Sequence, residues 1–134
     1  MASPRWFSPV GLVLVMAGGA IGVAARAAVT VPIDATHPLI APGITLAVNL
    51  LGSFLLGILV ARHGDAHPRW RQFAGSGILG GFTSYSAFAV HVLTTGTAAP
   101  LVGLALIIAS LAGGVLAAAA GLSLGAHSSE EDAP

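Results

Sequence analysis

The stretch Gly75-Ser-Gly-Ile-Leu-Gly-Gly-Phe-Thr-Ser-Tyr-Ser-Ala-Phe88 lies inside a long apolar segment, yet its composition disfavours an uninterrupted helix. It contains four glycines, and each glycine weakens a helix interior by about 1 kcal/mol. Backbone that leaves the helix at membrane depth is tolerated only where it is buried in protein or lines a cavity. The stretch therefore predicts a helix break at residues 80–83 that offers backbone carbonyls and amides to a ligand. Beyond it, Tyr85 and Phe88 are three residues apart and share one helix face.

The composition around this stretch is that of an integral membrane protein. Of 134 residues, 55% are hydrophobic and 7% are charged, against about 25% charged residues in a soluble domain. Four apolar segments are long enough to cross a bilayer, at about residues 10–31, 39–61, 73–94 and 98–122. We interpret the first as a membrane helix rather than a signal peptide, because its apolar run continues to Val31 and includes Arg26. Residues 1–126 form one membrane domain, and residues 127–134 are expected to be a disordered polar tail.

The charged and reactive residues exclude several classes of protein. The net charge of zero argues against a nucleic-acid partner, and the lack of cysteine excludes disulfide and thiolate chemistry. No catalytic triad, phosphate loop or zinc motif is present, so an enzyme is not expected. A cation-coupled transporter normally buries a carboxylate in its spans. Here every carboxylate lies outside the predicted spans: Asp34, Asp65, Glu130, Glu131 and Asp132.

What remains suits the passive conduction of a small ion. Amide and hydroxyl donors and the positive edges of aromatic rings favour an anion, whereas free carbonyls at a helix break favour a cation. Both kinds of group are present, so an anion path beside a structural cation would use both. Four short helices are too few to enclose a pore, and we infer at least a dimer.

The second segment carries one polar face, formed by Thr45, Asn49, Gly52 and Ser53 at helical spacing. Burying the Asn49 amide without a partner would cost several kcal/mol. Two interpretations stay open: Asn49 bonds a neighbouring helix, or it is a donor that faces an aqueous vestibule. Two interpretations also stay open for Arg26 in the first segment: it faces a cavity or a partner, or its side chain extends to the membrane interface.

Small residues and loops complete the pattern. Gly18 and Gly22 are four apart and predict close helix packing, as do Ser110, Gly114 and Ala118 in the fourth segment. Residues 32–38 are expected to be a loop bracketed by prolines. The loop at residues 62–71 holds His63, Asp65 and His67, but we interpret it as a solvated basic loop anchored by Trp70 rather than a metal site.

The arginines are unevenly distributed between the two sides of the predicted bundle. Only Arg26 belongs to one side; the other side holds Arg5, Arg62, Arg69 and Arg71. The positive-inside rule then predicts that both termini lie in the cytoplasm.

Three motifs together resemble the CrcB/Fluc fluoride channels of bacteria and archaea. They are Gly18-Gly19-Ala-Ile-Gly22-Val-Ala-Ala-Arg26, Thr45-Leu-Ala-Val-Asn49-Leu-Leu-Gly52-Ser53-Phe54, and Gly77-Ile-Leu-Gly80-Gly81-Phe-Thr83-Ser84-Tyr85-Ser86-Ala-Phe88. The resemblance covers about residues 10–122. It implies an all-α membrane protein of four transmembrane helices, the third broken mid-membrane, that assembles as an antiparallel dimer in the cell membrane.

The resemblance also implies function and site residues. The implied activity is the passive export of fluoride, which enters from acidic surroundings as HF and is trapped inside as the anion. The implied structural sodium ion is held by the backbone carbonyls of Gly80 and Thr83 from both subunits. The implied ion pathway comprises Asn49, the rings of Tyr85 and Phe88, the hydroxyls of Ser84, Ser86 and Thr45, and Arg26 near the vestibule.

This chain departs from the family pattern in three places. Tyr85 stands where the family usually has phenylalanine, Ser84 replaces the second residue of a Thr-Thr pair, and Ile44 replaces the glycine before Thr45. The uneven arginines lead to the hypothesis of a heterodimer with a paralogous subunit in place of a homodimer. A small dual-topology multidrug exporter is the alternative function; it would need a glutamate in its first membrane helix, and this chain has none there. A purely structural membrane protein would not need the polar face or the helix break.

Overall fold

The computed structural model describes residues 8–37, 39–63 and 66–131, and all of its regular structure there is helical. Helix α1 spans Pro9–Thr36, and α2 spans Ala41–His63. A third segment follows, made of α3 (Pro68–Trp70), a π-helix (Arg71–Leu79), α4 (Gly80–Phe82) and α5 (Tyr85–Ala98). The last helix, α6, spans Pro100–Glu131.

Three of these helices, α1, α2 and α6, are long and apolar enough to cross a membrane. The third segment is divided into shorter helices, so none of its pieces reaches that length by itself. The long helices end later than the predicted segments, by five residues in α1, two in α2 and nine in α6, whereas α2 and α6 begin two residues later than predicted.

Helix α1 does not end at the predicted loop, because Pro32 lies inside it. A proline removes one backbone donor but need not end a helix if the next turn is otherwise bonded. Here the Thr36 hydroxyl donates to the Pro32 carbonyl at 2.7 Å, and the His37 amide donates to the Ile33 carbonyl at 2.7 Å. Residues 32–36 of the expected loop at residues 32–38 are therefore helical.

The tail expected at residues 127–134 also differs from the structure. Helix α6 continues to Glu131, and residues 132–134 lie outside the described part of the chain. After Gly125 the sequence Ala-His-Ser-Ser-Glu-Glu contains neither glycine nor proline, so nothing in it breaks the helix. Polarity predicted disorder here, but polarity alone does not end a helix.

The first helix packs on the third segment through the predicted small residues. A Cβ atom on Gly18 would overlap the carbonyl oxygen of Phe73, and one on Gly22 would overlap that of Ile78. The prediction that these glycines allow close packing is confirmed. Helix α2 packs on α6 in the same way, since a Cβ on Gly57 would overlap the Ala118 carbonyl and one on Gly121 that of Phe54.

This packing provides a matched pair of adjacent substitutions. Gly18→Ala is expected to destabilise the protein by about 1–3 kcal/mol, because its Cβ meets rigid backbone. Gly19→Ala is the control, since a Cβ there has no neighbour within 4 Å and alanine is the better helix former. Thermal unfolding in detergent measures both; equal melting temperatures for the two variants would contradict this packing.

Candidate functional site

Two extended residues interrupt the third segment between α4 and α5. Thr83 has φ −76° and ψ 153°, and Ser84 has φ −146° and ψ 111°. Ser84 is the N-cap of α5, and its hydroxyl oxygen accepts a hydrogen bond from the Ala87 amide at 3.2 Å. The Thr83 hydroxyl donates back to the Leu79 carbonyl at 3.0 Å, which closes the preceding turn.

The interruption begins later than the sequence predicted. Gly80, Gly81 and Phe82 remain helical, and of the predicted residues 80–83 only Thr83 is extended. The physical reason is that glycine permits a break without requiring one, whereas a serine that caps the next helix fixes where that helix starts.

Asn49 of α2 binds the interruption through two hydrogen bonds to one residue. Its Oδ1 accepts from the Ser84 amide at 2.9 Å, and its Nδ2 donates to the Ser84 carbonyl at 3.2 Å. Only one orientation of the amide group satisfies both bonds. Because Ser84 is only 9% exposed, water has little access to replace them.

These bonds take the helical donors away from two of the carbonyls at the interruption. In an unbroken helix the Ser84 amide would donate to the Gly80 carbonyl, and the Ala87 amide to that of Thr83. Here the first donates to Asn49 and the second to the Ser84 hydroxyl. Gly80 and Thr83 are the two residues that the resemblance implies as sodium ligands.

Arg26 approaches the same interruption from α1. Its Nε donates to the Gly81 carbonyl at 3.3 Å, and its side chain is half-buried. Of the two interpretations left open by the sequence, the structure therefore favours the one in which Arg26 faces a protein partner. That partner is a carbonyl that would bond Tyr85 if the helix were continuous.

An open cavity of about 290 Å³ lies between α2 and the interruption. Five of the predicted site residues line it: Asn49, Gly80, Thr83, Ser84 and Tyr85. Both interpretations of Asn49 therefore hold in the structure, since its side chain bonds another helical segment and also lines a cavity.

The other predicted residues, Ser86, Phe88, Thr45 and Arg26, do not line this cavity. Ser86 is exposed, and its hydroxyl lies 3.3 Å from that of Ser84. Phe88 is half-buried one turn along α5, while Thr45 is 3% exposed one turn before Asn49. Tyr85 is 84% exposed although it lines the cavity, so its ring projects out of the single chain.

Sequence reasoning missed three apolar residues of the cavity wall, namely Leu56, Gly75 and Leu79. A signal for one of them was available. Leu56 follows Asn49 by seven residues, which places it on the same helix face as Gly52 and Ser53. No comparable signal marked Gly75 or Leu79, because both lie in the π-helix, where the helical period differs from that of an α-helix.

The histidines of the loop at residues 62–71 do not assemble a metal centre in the described part of the chain. The rings of His63 and His67 lie 5.8 Å apart, edge to face, and the His63 ring lies 6.3 Å from that of Trp70. No group of three metal-ligating side chains occurs among the described residues, and Asp65 lies outside them.

Comparison with known proteins bears on this arrangement directly. Residues 13–122 match the family model described as CrcB-like protein, Camphor Resistance (CrcB). The chain belongs to this family. The match spans all the residues of the candidate site, and the resemblance inferred from the three motifs is confirmed.

Several curated relatives are similar over most of their length. A protein of Leifsonia xyli named fluoride-specific ion channel FluC 2 is 44% identical over 124 residues, covering 86% of this chain and 75% of the relative. A FluC 2 protein of Thermobifida fusca is 43% identical, covering 81% and 83%. A fluoride-specific ion channel FluC of Agrobacterium fabrum is 40% identical, covering 87% and 96%. With its three long apolar helices, this CrcB-like protein is a multi-pass integral protein of the cell membrane.

Proposed function

We propose that this protein is a fluoride-specific ion channel that exports cytoplasmic fluoride passively. The observation that carries the proposal is the bonding of Asn49 to both backbone groups of Ser84 beside a cavity that both residues line. The names of the relatives supply the ion. A conducting path of this kind needs no catalytic group, so the protein is not an enzyme under this proposal.

The polar groups near the interruption suit a small anion. A primary amide has two N–H donors, and Asn49 uses one on Ser84, which leaves one for an ion. The Ser84 hydroxyl oxygen already accepts from Ala87, so its proton is available to Ser86 or to an anion. The edges of Tyr85 and Phe88 offer positive potential. Thr45 and Arg26 complete the proposed pathway, Arg26 as a fixed positive charge near the interruption.

A structural sodium ion fits two of the carbonyls freed at the interruption, those of Gly80 and Thr83. Backbone carbonyl oxygens are the groups with which ion-selective proteins replace the hydration shell of an alkali cation. The two oxygens of Gly80 and Thr83 from one chain are too few to surround an ion. A second copy related by a two-fold axis would supply the same pair. The proposed sodium site therefore requires an antiparallel dimer. In each of its subunits the third segment also crosses the membrane, which gives four crossings together with α1, α2 and α6.

The sodium ion is tested by stability rather than by conduction. The melting temperature of the purified protein is expected to rise when sodium chloride replaces potassium chloride at equal ionic strength, because an ion that binds only the folded dimer stabilises it. Equal melting temperatures in the two salts would remove the basis for a sodium site.

The partner subunit is either a second copy or a paralogue, and orientation separates them. An antiparallel homodimer requires that the same chain inserts into the membrane in both orientations, whereas the arginine distribution favours a single orientation. Tags on the termini of the chain expressed alone are expected on the cytoplasmic side only. Equal labelling of the tags from both sides would contradict the heterodimer with fixed orientation.

Growth of a bacterium that lacks its own fluoride exporter tests the function in cells. Expression of this chain is expected to restore growth in fluoride, with the larger benefit in acidic medium, where more fluoride enters as HF. Asn49→Ala is the matched variant and is expected to remove the benefit. Sensitivity to fluoride unchanged by the chain, alone or with a paralogue, would contradict the proposal.

The alternative, a multidrug exporter, has no observation in its favour. Helix α1 holds a single carboxylate, Asp34, near its end, where Oδ1 lies 3.9 Å from Nε2 of His91.

A further inference from the structure

A second hollow lies on the other side of the seam between α2 and the third segment. It is a groove of about 300 Å³ with an almost wholly apolar wall, formed by Leu55, Ile58, Leu59, Ala74, Ile78 and Leu79. Its mouth is different, since Arg62, His63 and Trp70 line that end. Leu79 is the only residue that the groove shares with the Asn49 cavity.

A hollow on the loop side borders the mouth of the groove at Trp70. That hollow, of about 440 Å³, is lined by Ala66, His67, Pro68, Arg69 and Trp70. Trp70 belongs to both hollows and is 46% exposed, as expected of a ring at the membrane interface. Arg62 and Arg69, both exposed, therefore lie on the two hollows that meet at this ring.

We propose that this groove binds one anionic phospholipid of the surrounding bilayer, with an acyl chain against the leucines and the phosphate at Arg62 and Arg69. The charge of this end supports the choice of lipid, because residues 62–71 contain three arginines and one carboxylate. Guanidinium groups bind phosphate through two parallel hydrogen bonds. Basic pockets between membrane helices at the cytoplasmic side are suited to anionic head groups.

A second copy of the chain fits this groove less well than a lipid. The cavity with Asn49 and the projecting Tyr85 lies on the other side of the seam, where the proposed dimer contact is. The groove is then left facing the bilayer.

Native mass spectrometry of the detergent-solubilised protein tests the site. The probes are dioleoylphosphatidylglycerol and dioleoylphosphatidylcholine, which share acyl chains and differ in head-group charge. The protein is expected to retain the glycerol lipid about 30-fold more tightly, from two favourable arginine contacts. Arg62→Gln with Arg69→Gln is expected to bring the ratio to about one, whereas Arg62→Lys with Arg69→Lys keeps the charge and most of the preference.

The apolar part of the site has its own variant. Leu55 is 39% exposed on the groove wall, so Leu55→Trp fills the groove and is expected to weaken retention of both lipids without changing charge. Water-soluble glycerophosphoglycerol, which has the head group alone, is expected not to compete.

Three results would overturn the proposal. They are equal retention of the two lipids by the unmodified protein, an unchanged preference in the glutamine variant, and full competition by the soluble head group, which would indicate a simple anion site. A change of oligomeric state in the glutamine variant with lipid retention unaltered would assign the groove to a second copy instead. None of these measurements depends on conduction, so they are independent of the proposed channel activity.

Discussion

Asn49→Ala is expected to lower fluoride conduction about 100-fold. The substitution leaves the Ser84 amide without its partner, in a residue that is 9% exposed. It also removes one of the two donors of the Ser84 carbonyl, which keeps the Phe88 amide at 3.4 Å. A buried group left unbonded costs about 1–3 kcal/mol and a lost hydrogen bond about 0.5–1.5 kcal/mol, so the arrangement at the interruption loses about 1.5–4.5 kcal/mol. A loss in the middle of that range shifts the equilibrium away from the native arrangement by about 100-fold. Fluoride efflux from liposomes of the purified variant measures the effect.

The control for Asn49→Ala is Thr97→Val. It also removes one polar side chain, whose hydroxyl donates to the Thr94 carbonyl at 2.9 Å, but it does so at the exposed end of α5. Its conduction is expected to match that of the unmodified protein. Equal conduction in Asn49→Ala and Thr97→Val would mean that the bonds to Ser84 do not maintain the path.

Gly52→Ala is expected to reduce conduction about tenfold or more, and Thr83→Ser is expected to restore it. A Cβ on Gly52 would overlap Cγ2 of Thr83, the methyl group of a residue whose hydroxyl is already bonded to the Leu79 carbonyl. Threonine cannot turn the methyl away without breaking that bond. Overpacking of this kind costs about 1–3 kcal/mol, and here it displaces the carbonyl that borders the interruption.

Serine at position 83 removes the methyl group and keeps the hydroxyl, so it isolates the contact. The double variant is expected to conduct and melt like Thr83→Ser alone, which gives a coupling energy of about 1–3 kcal/mol between the two positions. Additive losses in the double variant would show that Gly52 is needed for another reason. Efflux and thermal unfolding should be measured on the same four proteins.

The helix interruption shows how far local sequence rules reach. Glycines and hydroxyl residues indicated that the third segment would not be one straight helix, and the observed extended residues, Thr83 and Ser84, belong to the quoted stretch. The rules did not locate its start, because the capping bond of Ser84 and the bonds from Asn49 fix it together. One of these is local, but the other joins residues 35 positions apart.

The roles of Asn49 and Arg26 could not be chosen from the sequence, because their hydrogen-bond partners are distant in the sequence. Helical spacing placed Asn49 on a polar face but gave no means of choosing between a bond to another helix and a cavity. The same holds for Arg26, whose partner is the Gly81 carbonyl 55 residues away. Packing of small residues was easier to predict, since Gly18 and Gly22 need only a close neighbour of any identity.

The measurement that tests the channel most directly is ion efflux from liposomes that contain this chain, loaded in parallel with fluoride and with chloride and read by ion-selective electrodes. The account predicts fast fluoride efflux, driven only by the gradient, with chloride retained, from the chain alone or with its paralogous subunit. Equal efflux of both anions would contradict fluoride specificity. Retention of fluoride by liposomes containing either the chain alone or the chain with its paralogue would contradict the channel itself.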